Sequence, residues 1–187
     1  HDRLVVTLVS PEGEEKQLPY LVLNEIALTV KDPAKPSVLD IGIDDLEREK
    51  VRCSGIIVCT GTGSTAWYDS IKRIHADAAE DVLRASGVEY TPEHVSTAVS
   101  TLAQSLHFPQ DSGNMGYAIR EPITNKILSC KKRIGLAKNV SIKSLVWNGM
   151  AYIDGVCEFD FNYGTQAVIR VGPQDTRLST VWFDNLV

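Results

Sequence analysis

The stretch Cys59-Thr60-Gly61-Thr62-Gly63-Ser64-Thr65-Ala66-Trp67 decides the interpretation of this sequence, because a strand pattern ends in it and a helix pattern begins in it. The apolar run at 55–59 is typical of a buried strand. Glycines at 61 and 63 permit positive φ angles and a close approach of a ligand to the backbone. Ser64 and Thr65 offer hydroxyls and a helix N-cap, where unpaired N–H groups favour an anion or a polar ligand edge. We predict a binding loop here, with an ordinary strand-to-helix turn as the alternative.

Two helices are predicted after this loop. The first spans residues 65–86 and is followed by Gly87, a residue that commonly ends helices. The second spans 91–107, with Pro92 at its first helical position. Trp67 is either a core residue or an aromatic platform beside the loop. The apolar stripe that we expect the first helix to bury consists of Trp67, Ile71, Ile74, Ala78, Val82 and Ala85.

Most of the remaining sequence is β-rich. Before the loop, the runs at 4–9 and 20–30 suggest a hairpin, and a third run follows at 37–43. Asn148-Gly149 and Asp154-Gly155 are typical of tight hairpins, whose central residues need positive φ. We therefore predict a mainly β (α+β) fold, a β-sandwich with about two helices, as a single domain over 1–187. Further strands are predicted at 117–120, 127–130, 139–147, 150–153, 157–161, 165–171 and 178–183.

Composition limits the possible partners. The net charge of −5 argues against nucleic acid or an anionic membrane surface, and no apolar run is long enough to span a membrane. The four cysteines form no CxxC pair and have no histidine at metal-ligand spacing, which favours reduced thiols of an intracellular protein and no metal site. The opening His1-Asp2-Arg3 runs straight into a strand, which favours a segment of a longer protein.

A polar pair, Asn24-Glu25, interrupts the apolar run at 20–30. A carboxylate in such a run must be hydrogen-bonded, paired or facing a cleft, because burying it without a partner is costly. The alternative is an exposed bulge.

Three segments resemble, in order and spacing, the C-terminal domain of the NAD kinases. They are Leu23-Asn24-Glu25-Ile26, residues 54–67 and the Asp154-Gly155 turn, and the resemblance covers nearly the whole chain. The loop variant Cys-Thr-Gly-Thr-Gly-Ser, together with Ile119-Arg120-Glu121-Pro122-Ile123, is most similar to the mitochondrial members from animals. The resemblance implies the β-sandwich-like C-terminal domain of the NAD kinase and diacylglycerol kinase-like fold.

It also implies a reaction, in which the γ-phosphoryl group of ATP passes, with Mg²⁺, to the 2′-hydroxyl of the adenosine ribose of NAD. Two departures weaken the match: Ser54 stands where many members have Asp, and Gly61 stands where most have Pro. Carried over by position, the NAD-binding residues are Asn24 and Glu25 at the adenosine and its ribose, Thr62, Thr65 and Ala66 at the adenine edge, Trp67 stacked on the ligand, and Ser70 near a phosphate or ribose.

The family carries its ATP side and a catalytic Gly-Gly-Asp-Gly loop on an N-terminal domain. No Gly-Gly-Asp-Gly occurs in these 187 residues, so we expect no catalytic residue in the chain and no activity from it alone. The resemblance further implies a homodimer or higher homo-oligomer and a mitochondrial location, with the cytoplasm as the alternative. Two other functions remain open: the C-terminal domain of a lipid kinase of the diacylglycerol or sphingosine type, and a non-catalytic dimerisation domain.

Overall fold

The computed structural model describes residues 1–105, 107–125 and 129–180. Its helices are α1 (Trp67–Lys72), α2 (Ala76–Ala85) and α3 (Pro92–Ser105), with short 3-10 turns at Gly63–Thr65 and Gln174–Thr176. Its strands are β1 (Leu4–Val9), β2 (Glu15–Gln17), β3 (Glu25–Val30), β4 (Ser37–Ile43), β5 (Glu49–Cys53), β6 (Gly55–Cys59), β7 (Met115–Arg120), β8 (Ile134–Ala137), β9 (Asn139–Ser144), β10 (Gly149–Ile153), β11 (Cys157–Asp160) and β12 (Gln166–Val171).

The strands form two six-stranded antiparallel sheets. One has the order β2-β1-β12-β9-β4-β5, and the other has the order β11-β10-β3-β6-β7-β8. Strands such as β9 alternate exposed and buried residues, as expected when only one face of a sheet meets the core. The predicted mainly β fold is therefore confirmed. The main core includes Leu4, Val6, Ile26, Leu28, Leu39, Ile56, Val58, Tyr117, Ile142 and Ile169.

The central strand β6 is buried at every residue because both of its faces are covered. A second apolar cluster, formed by Cys59, Tyr68, Phe108 and Ala118, lies apart from the main core. Tyr68 belongs to α1, so this cluster joins the first helix to β6 and β7. The strand that enters the glycine loop is thereby held firmly on both sides.

The first predicted helix is broken into α1 and α2. Arg73 and His75 have extended ψ angles of 128° and 152°, and residues 73–75 connect the two helices. The end of α1 is held by tertiary bonds: the Lys72 ammonium donates to the Ala103 carbonyl at 3.2 Å, and Arg133 donates to the Ile71 carbonyl at 3.0 Å. These tertiary bonds favour a helix end here over the continuous helix that the sequence periodicity predicts.

The expected burial of the first helix was also wrong. Ile74 is 41% exposed and Val82 is 68% exposed, and α2 has no buried residue. The prediction of the second helix is confirmed in type and start, since α3 begins at Pro92, although only Val95 is buried in it. The helical segment therefore lies against the sandwich mainly through Tyr68 and its neighbours.

Two predicted hairpins do not form. The runs at 4–9 and 20–30 lie in different sheets, because the chain first turns back at Ser10 to pair β2 with β1. Asn148-Gly149 connects strands of different sheets as well; Gly149 is needed there because a Cβ atom would overlap the Phe161 carbonyl. The Asp154-Gly155 hairpin is confirmed between β10 and β11, with φ of 50° and 66°.

A few sequence predictions fall outside the described residues. The predicted strands at 127–130 and 178–183 lie partly there, as does Leu106 at the end of the second predicted helix. Strand β8 was missed, because Ile134-Gly135-Leu136-Ala137 is too short and too glycine-containing to form a clear strand pattern. All four cysteines are unpaired. No helix in the described ranges is both long and apolar enough to cross a membrane.

Candidate functional site

The glycine loop lies directly against the start of β3. Glu25 pairs in register with Cys59, and the Thr60 N–H donates to the Asn24 carbonyl at 2.9 Å. The Thr60 hydroxyl donates to the Leu23 carbonyl at 2.5 Å and accepts the Gly63 N–H at 3.1 Å. These bonds bring together the Asn24-Glu25 pair and the loop, which are far apart in sequence.

The two loop glycines are required by close packing. A Cβ atom on Gly61 would lie 2.6 Å from the Pro109 carbonyl oxygen, and one on Gly63 would overlap the Asn24 carbonyl. Neither glycine has a positive φ angle, so the expectation that they curl the backbone through that region was wrong. The space is tight because β3 lies on one side of the loop and the 108–110 segment on the other.

The predicted hydroxyl N-cap is also absent. Helix α1 begins after Ala66, whose side chain makes no capping bond, and the buried Ser64 hydroxyl donates to the Gly61 carbonyl at 2.7 Å. Ser64 therefore stabilises the loop from within. Thr65 is exposed, and its side chain makes no capping hydrogen bond to a described residue.

Asp154 fixes the backbone of the Asn24-Glu25 segment, a role that the sequence analysis missed. Its carboxylate accepts three backbone N–H bonds, from Leu23 at 2.9 Å, Asn24 at 2.7 Å and Glu25 at 3.1 Å. Charged acceptors make strong hydrogen bonds, so this contact sets where the two side chains point. The Asp-Gly pattern predicts only a turn. The resemblance to a family in which this turn recurs was the only sequence signal that Asp154 could have a further role.

Glu25 is half-buried and its carboxylate has no hydrogen bond or ion pair within the part of the chain that the structure describes. Burial, and then the neighbouring Asp154 charge, raise the pKa of Glu25 above its ordinary value of 4.5. The side-chain amide of Asn24 is likewise without a partner among these residues. Two strong hydrogen-bonding groups are thus available to a ligand beside the loop.

The other predicted site residues lie along the loop and the first turn of α1. Thr62 is half-buried, with its hydroxyl 3.4 Å from His1 Nδ1, whereas Thr65, Ala66 and Ser70 are exposed. The Ser70 N–H donates to the Ala66 carbonyl at 3.0 Å, so these two residues share one helix face. No described hydrogen bond joins the Glu25 carboxylate to any of them.

Trp67 is at the surface, with 39% of its area exposed, so the alternative in which it is a core residue was wrong. The Arg120 guanidinium carbon lies 5.1 Å from its ring centroid, a cation–π arrangement. The neighbouring Tyr68 fills the core position instead, packing edge-on against Phe108 with ring centroids 6.4 Å apart.

A carboxylate is present beside Ser54 although the family's Asp is not. The Ser54 hydroxyl donates to the Glu121 carboxylate, and Glu121 has a φ of 45°. The described residues contain no group of three histidine, cysteine or acidic side chains that could hold a metal ion.

Solved structures share this architecture. Yeast NADH kinase complexed with NADH superposes with a TM-score of 0.61 and 17% identity, covering 98% of this chain and 42% of that one. The NAD kinase of Archaeoglobus fulgidus in complex with ATP gives a TM-score of 0.56 and 17% identity, covering 92% of this chain and 51% of that one. The chain has the fold of the NAD kinase class.

The sequence match is more particular. The chain is 33% identical over 164 residues to mitochondrial NAD kinase 2 of rat, which is 84% of this chain and 39% of that protein. It is therefore a homologue of the mitochondrial NAD kinases, which confirms the predicted resemblance. The chain spans about two-fifths of the length of that curated relative. No family model matches the sequence.

Proposed function

We propose that the protein containing this chain is an NAD kinase, which transfers the γ-phosphoryl group of ATP to the 2′-hydroxyl of the adenosine ribose of NAD. The observation that carries the proposal is the half-buried Glu25 carboxylate, which has no partner among the described residues and is held against the glycine loop by the β3–β6 register. A carboxylate accepts hydrogen bonds from a vicinal diol such as that of a ribose. The homology to mitochondrial NAD kinase 2 of rat supports the same substrate.

Each site residue has a proposed role. Glu25 and Asn24 bind the adenosine and its ribose, with Asp154 as the positioning residue that holds their backbone. Thr62, Thr65 and Ala66 contact the adenine edge, and Ser70, on the same helix face as Ala66, lies near a phosphate or ribose. Trp67 stacks on the ligand through the ring area that remains exposed.

We infer that the ATP-binding residues and the catalytic base lie elsewhere in the protein. The chain contains no Gly-Gly-Asp-Gly loop, and the structure of an Archaeoglobus NAD kinase in complex with ATP supports ATP as the donor. The described residues contain no cluster of three histidine, cysteine or acidic side chains, and no step of the reaction is assigned to a metal on this chain. We infer that residues 1–187 supply NAD binding and orientation, and are inactive alone.

The test is NADP formation by the intact protein, measured beside NAD binding by calorimetry. Glu25→Gln keeps the size of the side chain but removes its charge, and we expect at least a tenfold loss in NAD affinity or turnover, which is ~1.4 kcal/mol. Glu89→Gln, the same change at an exposed position away from the loop, is the control. Unchanged kinetics in Glu25→Gln would remove Glu25 from the site.

Titration of the intact protein with a short-chain diacylglycerol or sphingosine distinguishes an NAD kinase from a lipid kinase. Lipid phosphorylation without NADP formation would overturn the assignment. Retention of NAD binding and turnover in Asn24→Ala plus Thr65→Val would instead favour a dimerisation domain.

We also infer a mitochondrial protein that forms homodimers or higher homo-oligomers. The matched rat protein is mitochondrial by name, and the resemblance to NAD kinases implies self-association. Fluorescence microscopy of the tagged protein and sedimentation of the purified protein measure the two properties. A cytoplasmic or a monomeric protein would contradict the respective inference.

A further inference from the structure

A cavity of about 330 Å³ opens at the side of the sandwich. It lies where β4 and β5 of one sheet face β7 of the other, so it is a gap between the sheet edges. Small-molecule pockets have volumes of roughly 300–1,000 Å³, and this cavity reaches the lower end of that range. None of the described residues that line it belongs to the glycine loop or to Asn24-Glu25. Its apolar walls are Ile41, Ile43, Leu46, Val51 and Ile119.

Tyr117 lines this cavity and is only 1% exposed. Its hydroxyl has no hydrogen-bond partner among the described residues. Burial raises the pKa of Tyr117, so the phenol is neutral and able to donate a proton into a hydrogen bond.

The mouth of the cavity carries two lysines with different surroundings. The Lys131 ammonium lies 3.3 Å from the Glu47 carboxylate, and its backbone N–H donates to Glu49 at 3.1 Å. Lys132 forms no ion pair with any described residue. A Cβ atom built on Gly135 would lie 2.9 Å from both Lys132 Cε and the Tyr117 hydroxyl oxygen, so these two groups border the same small space.

We propose that this cavity binds a small amphipathic carboxylate, such as a medium-chain fatty acid, with its chain between the sheets and its head at Tyr117 and Lys132. The hydroxyl donates to the carboxylate, and the ammonium balances its single charge. A doubly charged phosphate fits less well, because Glu47 and Glu49 stand at the same mouth and repel additional negative charge. This site is independent of the NAD kinase assignment.

The test is calorimetric titration of the intact protein with decanoate, decanol and decyl phosphate. We expect decanoate to bind at least about tenfold more tightly than either analogue. Tyr117→Phe removes one oxygen atom and Lys132→Met removes one charge, and each is expected to weaken decanoate binding about tenfold. Tyr163→Phe and Lys16→Met make the same changes at exposed positions away from the cavity and should leave binding unaltered.

Three results would overturn the proposal: no decanoate binding, equal binding of decanol and decanoate, or binding unaffected by both Tyr117→Phe and Lys132→Met. Ile43→Phe tests the location, since the bulkier aromatic side chain should narrow the cavity and weaken decanoate binding. If Ile43→Phe does not fold, the two conservative variants still decide, provided that their unfolding midpoints match the wild type. Decanoate binding should persist in Glu25→Gln, which separates this site from the NAD site.

Discussion

At the residue scale, Glu25 combines a half-buried carboxylate with a negative neighbour. Because burial and Asp154 raise its pKa above 4.5, the folded chain binds more protons than the unfolded chain between that value and the raised one. Stability therefore falls as pH rises through this window. We expect Glu25→Gln to raise the unfolding temperature at about pH 7, and the gain to vanish as the pH falls towards about 4.5.

Thermal unfolding of the wild type and Glu25→Gln across this pH range measures the effect. Glu89→Gln should show no such pH-dependent gain. A less stable Glu25→Gln variant at about pH 7 would mean that the ionised carboxylate has a stabilising partner.

Trp67 provides a second prediction at this scale. Since the ring is 39% exposed and contacts Arg120, Trp67→Ala should cost only ~0.5–1 kcal/mol of stability. Its loss should weaken NAD binding by ~1–3 kcal/mol, the range for base–aromatic stacking, while Trp67→Tyr should retain affinity. Calorimetry and chemical denaturation measure the two effects. Trp147→Ala, at another exposed aromatic position, should leave NAD binding unchanged, and an unaltered dissociation constant in Trp67→Ala would exclude stacking.

The sequence predicts Glu25 and Trp67 as candidate site residues but does not predict their surroundings. Glu25 within an apolar run was compatible with a cleft or a bulge, and only the pairing with Cys59 places it beside the loop. Asp154 went unassigned because its local pattern predicts a turn, whereas its carboxylate contacts residues about 130 positions earlier in the chain. Contacts across such separations depend on sheet order, which periodicity does not specify.

At the scale of elements, the loop depends on its contact with the start of β3. A methyl group on Gly63 would overlap the Asn24 carbonyl, and both belong to backbone that is hydrogen-bonded in place. We expect Gly63→Ala to lower stability by ~1–3 kcal/mol, the cost typical of overpacking, and to weaken NAD binding. Denaturant unfolding and calorimetry measure these effects.

Gly42→Ala is the control for this change, because its added Cβ atom would meet only the flexible side chain of Arg48. A Gly63→Ala variant with wild-type stability and affinity would contradict the close packing of loop and strand.

Element types were more predictable than element partners. The period of the 65–86 segment correctly indicated helix, but the break at 73–75 arises from bonds of Lys72 and Arg133 to distant carbonyls. The same limitation explains the two wrong hairpins, since β1 and β3 have strand patterns that fit either sheet. Local propensity determines what a segment becomes, and tertiary contacts determine where it ends and what it pairs with.

At the scale of the whole molecule, stability is expected to be uneven. Strand β6 is buried at every residue between two neighbouring strands, whereas α2 has no buried residue and α3 buries only Val95. Segments with few buried apolar contacts open at low free energy, and doubly covered strands open only with global unfolding. Native-state hydrogen exchange should therefore show α2 exchanging first and β3 and β6 last.

Hydrogen exchange with and without NAD tests the location of the nucleotide site. Because the proposed site joins the start of β3 to the glycine loop, NAD should slow exchange at residues 23–25 and 60–67 while leaving α2 unchanged. A ligand can protect only the openings that disrupt its own site, so this pattern would be specific to the assigned residues. Protection concentrated on α2 and α3, with none at the loop, would move the nucleotide site to the helical segment and contradict the roles of Asn24 and Glu25.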